Sequence, residues 1–297
     1  MDFVRRAVNP WGEEVLLGLA WNVLWLVVVA GALFVIGHAI FKRKSAGAGG
    51  AIGSGTAAGI PDKITRHGGS ARISHWILAA STFSLLITAF VPILGLQFPW
   101  VTIHWISGLV FGIYVVYHTI DTIGRGSLAS MWLGIRETVE SVARAREFFS
   151  RGGDPDERTS KWAFENKAFH HVTALAALAV LGTGLLMMFR VDTWFWEANP
   201  YLLGIADSTW GLMYVLHGFA SVGFVGLLIA HIYFAVRPDN LFLTRSMFKG
   251  WITRDEFVEH YDPEKWVVSE NGDRMPTPAS SEAGVGMGPT PGHQDPE

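Results

Sequence analysis

The sequence contains no cysteine in 297 residues. That absence excludes a disulfide framework, a cysteine-ligated iron–sulfur cluster and a covalently attached c-type haem. Any redox chemistry must use histidine-held cofactors and electrons supplied by another subunit. Charge is also scarce. Asp, Glu, Lys and Arg make up only 16% of the chain, and their net balance of -3 gives no reason to expect nucleic acid as a partner. Apolar length stands in its place: 50% of the residues are hydrophobic and 13 are Trp, which sets the chain among membrane proteins rather than soluble domains.

Five apolar segments, approximately 15–41, 73–95, 103–123, 168–190 and 211–236, reach the roughly 20 residues a helix needs to cross a bilayer. The expected fold is all-α and integral to the membrane: five transmembrane helices, of which four form a bundle and the N-terminal one is an addition. The first segment is longer than the apolar stretch of a signal peptide and ends in Lys42, Arg43 and Lys44, a stop-transfer cluster. Lys and Arg are frequent in 42–72, 124–167 and beyond 237, and absent from 96–102 and 191–210. Positive-inside logic then places the N-terminus outside and the C-terminus in the cytoplasm of a bacterial inner membrane, with Arg5 and Arg6 as a minor conflict.

The expected division is a periplasmic N-terminus with the first span (1–44), a flexible Gly/Ala/Ser connector (45–72), the bundle (73–236) and a cytoplasmic tail (237–297) disordered at its end. Between the third and fourth spans, Ile135, Val139, Val142 and Phe149 recur at helical spacing opposite Arg136, Glu140, Arg144 and Glu147. That pattern predicts a helix lying on the inner membrane surface. Trp194, Trp196, Tyr201 and Trp210 read as an outer aromatic belt.

The stretch "VLHGFASVGFVGLLIAHIYFAV" carries no formal charge, yet places His217 and His231 fourteen residues apart. On a helix that separation is about 21 Å along the axis with only about 40° of azimuthal drift, so both rings face one side near opposite leaflets. His75, His104, His118, His170 and His171 lie in or beside the other late spans. Intramembrane ionisable groups are costly, and so many exceed what packing requires. Ordered by depth, His104 is level with His217 and His75 with His231, while His118, fourteen residues after His104, competes with His75 for His231. Bis-histidine ligation of two b-type haems, one near each face, explains the pairing. Gly108 and Gly218, beside these positions, would let a flat macrocycle approach. Arg72 either neutralises a haem propionate or anchors the helix end, and His38, His67, His260 and His293 read as ordinary packing or surface residues.

At these residues the sequence resembles a known family. "ARISHW", "IHWISG" and "LHGFASVGFVGLLIAH" are similar to segments of the cytochrome b membrane (gamma) subunit of respiratory formate dehydrogenases, related to the cytochrome b of nickel–iron hydrogenases and of thiosulfate reductase. The resemblance covers roughly 65–265. It implies that His104 and His217 hold an outer haem b, and His75 and His231 an inner one. It further implies a periplasmic molybdenum or tungsten catalytic subunit, an iron–sulfur subunit feeding the outer haem, and menaquinone or ubiquinone reduced beside the inner haem. The family's quinone motif, K-Y-N-A-G-Q-K, is here "KWAFENK": Lys161 and Lys167 are kept, while Ala163 and Asn166 replace Asn and Gln. The quinone pocket is therefore expected to use Glu165, Asn166 or His170 instead. The chain is expected to carry electrons from haem to haem to quinone. The alternatives are the cytochrome b of a hydrogenase or sulfur-oxyanion enzyme, or a haem-free anchor whose histidines relay protons.

Overall fold

Near the N-terminus lies a turn-forming run, Asn9 to Glu13. The Asn9 side chain accepts hydrogen bonds from the amides of Trp11 (3.1 Å) and Glu13 (2.8 Å), and Gly12 takes a left-handed φ of 87°. The chain folds back on itself, so β1 (Val4–Val8) pairs antiparallel with β2 (Glu14–Leu19). Consequently the first helix, α1 (Trp21–Ser45), starts later than the apolar run at 15 predicts. Arg5 and Arg6 are absorbed by this hairpin: Arg5 bonds the Leu19 carbonyl and lies 4.7 Å over Trp21, and Arg6 pairs with Glu14.

The computed structural model describes residues 2–45, 59–125, 128–151, 159–199, 201, 204–263 and 265–268. After β3 (Lys63–Thr65) come α2 (Gly69–Phe90) and α3 (Trp100–Gly124), followed by α4 (Leu128–Met131), α5 (Ile135–Arg151), α6 (Phe164–Met187) and α7 (Asp207–Val236). The chain closes with α8 (Leu241–Lys249), β4 (Trp251–Thr253) and α9 (Arg254–His260). Among the described residues five stretches are helical, long and apolar enough to cross a membrane: Trp21–Phe41, Gly69–Leu94, Trp100–Gly124, Phe164–Arg190 and Asp207–Val236. They match the five expected spans. The fold is that of an all-α integral membrane protein with two small two-stranded sheets added outside the spans.

A helical turn at Val91–Leu94, stopped by Gly95 at φ 83°, delivers the chain into α3 after Pro99. So short a connection makes α2 and α3 antiparallel neighbours. α2 packs along α3 and α6 along α7, whereas α3 meets α6 only briefly. The two pairs close on an apolar layer of Phe111, Ala177 and Phe224, flanked by Leu78, Leu85 and Val180. α1 and β2 lie against α7 along a row of glycines. A Cβ on Gly211 would stand 2.6 Å from the Leu16 carbonyl, one on Gly218 3.1 Å from Leu19, and one on Gly226 3.2 Å from Val27. Small residues let these backbones approach where lipid offers no hydrophobic drive to associate.

At the other end of the bundle β3 pairs with β4, aligning Ile64 with Ile252. Ile64, Ile252, Phe257, Tyr261 and Trp266 form a small core there. Thr253 caps α9 reciprocally with Glu256, which also binds Arg245. Arg66, only 4% exposed, is stacked among Trp162, Tyr261 and Trp266 at 5.1 to 5.7 Å and donates to the Lys161 carbonyl. The regions expected to be a flexible connector and a tail thus contribute 59–67, 237–263 and 265–268 to one folded cap. Residues 46–58 and 269–297, which carry most of the Gly/Ala/Ser stretch and the expected disordered end, lie outside the described residues.

α5 is helical as its periodicity predicts. Its apolar positions Ile135, Val139 and Val142 are all exposed, as befits a face laid on lipid, and Glu137 ties it to α6 through Lys167 at 2.9 Å. The side chains of Arg144, Glu147 and Phe149 lie outside the described residues. Within the expected aromatic belt Trp194 and Tyr201 are exposed, but Trp210 is 1% exposed and lies under the Arg190 guanidinium. It belongs to the packed start of α7, where Arg190 also reaches Asp207 and the Tyr214 hydroxyl.

Candidate functional site

At the hairpin end, His104 on α3 faces His217 on α7 with ring centres 6.3 Å apart. Two imidazoles bound head-on to one metal by bonds of about 2 Å bring their ring centres to roughly 6 Å. The ring orientation is set from behind. His104 Nδ1 lies 2.8 Å from the Thr88 hydroxyl and His217 Nδ1 lies 2.9 Å from the Thr183 hydroxyl. Each hydroxyl also reaches the carbonyl one turn earlier on its own helix, that of Ser84 at 2.8 Å and of Ala179 at 2.6 Å. A threonine has one hydroxyl proton; with that proton on the carbonyl, its oxygen accepts from the imidazole Nδ1–H. Nε2 is then left with its lone pair, the tautomer a metal ligand needs. Gly184 lies against the same site: a Cβ there would stand 3.3 Å from His217 Cε1.

At the cap end, His75 on α2 faces His231 on α7 at 6.1 Å. Phe169 stacks on His231 at 5.6 Å with ring planes 19° apart, and Trp76 stands edge-on to His75 at 5.0 Å. Of the two candidates that spacing allows, His75 is the one whose ring faces His231, while His118 turns to His170, at 6.2 Å. Arg72 donates to the Phe248 carbonyl at the end of α8, leaving its Nε without a hydrogen-bond partner among the described residues. It is thus at least a helix anchor. His75 Nδ1 is likewise buried without a partner.

Glu165 and Asn166 are exposed in the first turn of α6, and His170 one turn later is exposed towards His118. Lys167 is taken by Glu137. Of the two glycines beside these positions, Gly218 packs against Leu19 of the hairpin, whereas a Cβ on Gly108 would meet only Leu85, at 3.9 Å. Of the remaining histidines, His38 bonds the Tyr233 hydroxyl at 2.9 Å and His260 stacks on Phe242 at 4.4 Å. His67 is pushed down to about 3 by burial, then by the positive charges of Arg66 and Lys161. His293 lies outside the described residues.

The two facing pairs are separated by Phe111 and Phe224, whose rings meet at 6.4 Å. Each Phe is seven residues from a histidine on either side along its helix, His104 and His118 on α3, His217 and His231 on α7. One apolar layer therefore lies between the two pairs. The spacing of the facing rings, the threonine-held Nδ1 atoms and the glycine beside His217 all fit haem. No curated protein matches the chain. The model of the family described as prokaryotic cytochrome b561 matches residues 66–250, from Arg66 at the foot of α2 to the end of α8. That span takes in every facing histidine pair, and the chain belongs to the prokaryotic cytochrome b561 family, as a multi-pass membrane cytochrome b.

Proposed function

We propose that the chain is the di-haem membrane subunit of a respiratory complex, carrying electrons from a periplasmic partner through an outer and an inner haem b to quinone. The observation that carries this reading is the presence of two histidine pairs at 6.3 and 6.1 Å, one on each side of the Phe111/Phe224 layer. Haem, when bound, supplies a one-electron couple at each level. The chain's own residues do the rest. Thr88 and Thr183 orient His104 and His217, Phe111 and Phe224 exclude water between the levels, and Phe169 closes one face of His231.

The orientation follows the Lys/Arg asymmetry, with the hairpin end outside and the cap in the cytoplasm. The partner is an iron–sulfur subunit with a molybdenum or tungsten catalytic subunit, of the formate dehydrogenase type by the resemblance of the motifs. Lacking any thiolate cluster of its own, the chain needs such a donor. Quinone, menaquinone or ubiquinone, is reduced at the cap end near Asn166 and Glu165. A haem-free proton pathway would leave the two threonine-held histidines of the outer pair without a use for Nε2.

The test is a reduced-minus-oxidised spectrum of the purified protein, followed by anaerobic addition of a quinone analogue. The proposal requires a b-type haem signal that quinone reoxidises. A protein without haem, or one whose reduced haems ignore quinone, would contradict it.

A further inference from the structure

Towards the cap end two histidine pairs face each other, and His75 with His231 is the one read above as the inner haem pair. His118 on α3 and His170 on α6 form a second pair with the same ring separation, 6.2 Å against 6.1 Å. The two ring planes are tilted by 55°, and imidazoles whose centres are about 6 Å apart are within reach of one bridging water.

The pair has an outlet on each side. Towards the cytoplasm Asp121 lies three residues beyond His118, on the same face of α3. Its carboxylate accepts from Ser70 (3.2 Å) and Arg125 (2.8 Å), and Ser70 lies 3.0 Å from the Tyr117 hydroxyl. A crevice of about 260 Å³ opens beside these groups, lined by Ser70, Ile73, Ile113, Tyr114 and Tyr117. Towards the interior, the residue before His170 is Phe169, which stacks on His231, and Asn166 stands one turn earlier on α6. His171, 5.8 Å from His170, is tied to the Lys167 carbonyl and to Trp132, and Lys167 is tied to Glu137 on α5.

We propose that His118 and His170 are a proton relay, carrying cytoplasmic protons from the Asp121 cluster to quinone beside His231. The relay rests on the reading that quinone is reduced at this end. Reduction of one quinone to quinol takes two electrons, which a haem held by His75 and His231 would pass on one at a time from the partner's reductant, and forms two O–H bonds with two protons. Each proton that leaves His170 is replaced through His118 and then from Asp121 or water, so the relay ends unchanged. Imidazole suits the task because one nitrogen accepts while the other donates. The charged and titratable groups around the pair are Asp121 and Arg125 on α3, Lys167 and His171 on α6, Glu137 on α5, and His75 and His231 across the bundle.

The experiment uses the full chain in vesicles of phosphatidylethanolamine and phosphatidylglycerol, its haems reduced anaerobically with limiting dithionite. Reoxidation is followed from pH 6 to 9, with decylubiquinone and, separately, with ferricyanide, which takes electrons without protons. In His118→Gln and His170→Gln both haem components should remain and the ferricyanide rates stay unchanged. Quinone-driven reoxidation at pH 8 should slow towards the low end of the roughly 10²–10⁴-fold typical of a positioned acid–base group, with less effect at pH 6. The double variant should be no slower than either single one, because both residues serve one path. Asp121→Asn examines the path from the surface should a histidine variant not accumulate, and it should show the same selective loss. Wild-type quinone rates at pH 8 in these variants would overturn the relay alone. Loss of a haem component in either histidine variant would overturn it by making that residue a ligand. Failure of the unmodified protein's haems to react with quinone would overturn the functional reading, and the relay with it.

Discussion

At the scale of single residues, the chemistry is concentrated where a histidine meets something that fixes its ring. Thr88 and Thr183 do so for the outer pair by holding Nδ1, so Thr183→Val should weaken haem at His217 while leaving the inner site intact. Groups that orient a metal-bound histidine are typically worth about 10- to 100-fold in metal affinity. Haem-to-protein stoichiometry measured during purification checks this, and full retention of both haems would argue against the role. The inner site offers a sharper contrast. His75→Ala should lose the inner haem and keep the outer, whereas His118→Ala should keep both spectral components. The histidines were legible because imidazole is conspicuous in an apolar run and fourteen residues return to one helix face. Thr88, Thr183 and Gly184 were not. Serine, threonine and glycine recur throughout these spans, and only their neighbours on other helices separate the few that touch a ring from the many that do not.

At the scale of elements, long amphipathic or apolar periodicity was readable and short pairing was not. The spans and α5 follow from local sequence, but β3 and β4 join residues nearly two hundred positions apart, and no local pattern reveals that Ile64 lies beside Ile252. The N-terminal hairpin was hidden in the same way, inside an apolar run whose turn is built by Asn9 and Gly12. The cap has a pH dependence of defined sign. His67 is pushed down to about 3 in the folded chain, so between pH 6.5 and about 3 the unfolded cap binds the extra proton. The cap's stability is therefore whole above pH 6.5 and falls as pH is lowered through that window. Hydrogen exchange at the β3–β4 amides, corrected for intrinsic rates, should quicken on acidification, and His67→Gln should flatten the response. Exchange that does not change between pH 7 and 5 would count against a neutral buried His67. Along α7, Gly211→Leu should dislodge the hairpin, because any side chain there collides with the Leu16 backbone. Limited proteolysis between residues 4 and 19 should then become rapid while haem at the cap end is retained.

At the scale of the whole molecule, two helix pairs joined by an apolar layer give two levels with different surroundings. The hairpin end presents exposed aromatic residues, Trp194, Phe195 and Tyr201, where a periplasmic partner is proposed to dock. Labelling of loop 191–206 from outside should fail in the intact complex and succeed once the partner is stripped; labelling indifferent to the partner would move the docking site elsewhere. The cap end gathers Arg66, Arg72, the His75/His231 and His118/His170 pairs and the Asp121 cluster, surroundings that the proposed quinone reduction would use. The account's central claim is that these levels hold one haem each, ligated by separate histidine pairs. Potentiometric titration of the haem absorbance in the unmodified chain, in His217→Ala and in His75→Ala tests it most directly. The account predicts two b-type components in the unmodified protein, loss of one component in His217→Ala and loss of the other in His75→Ala. A single component in the unmodified protein, or loss of the same component in both variants, would contradict it.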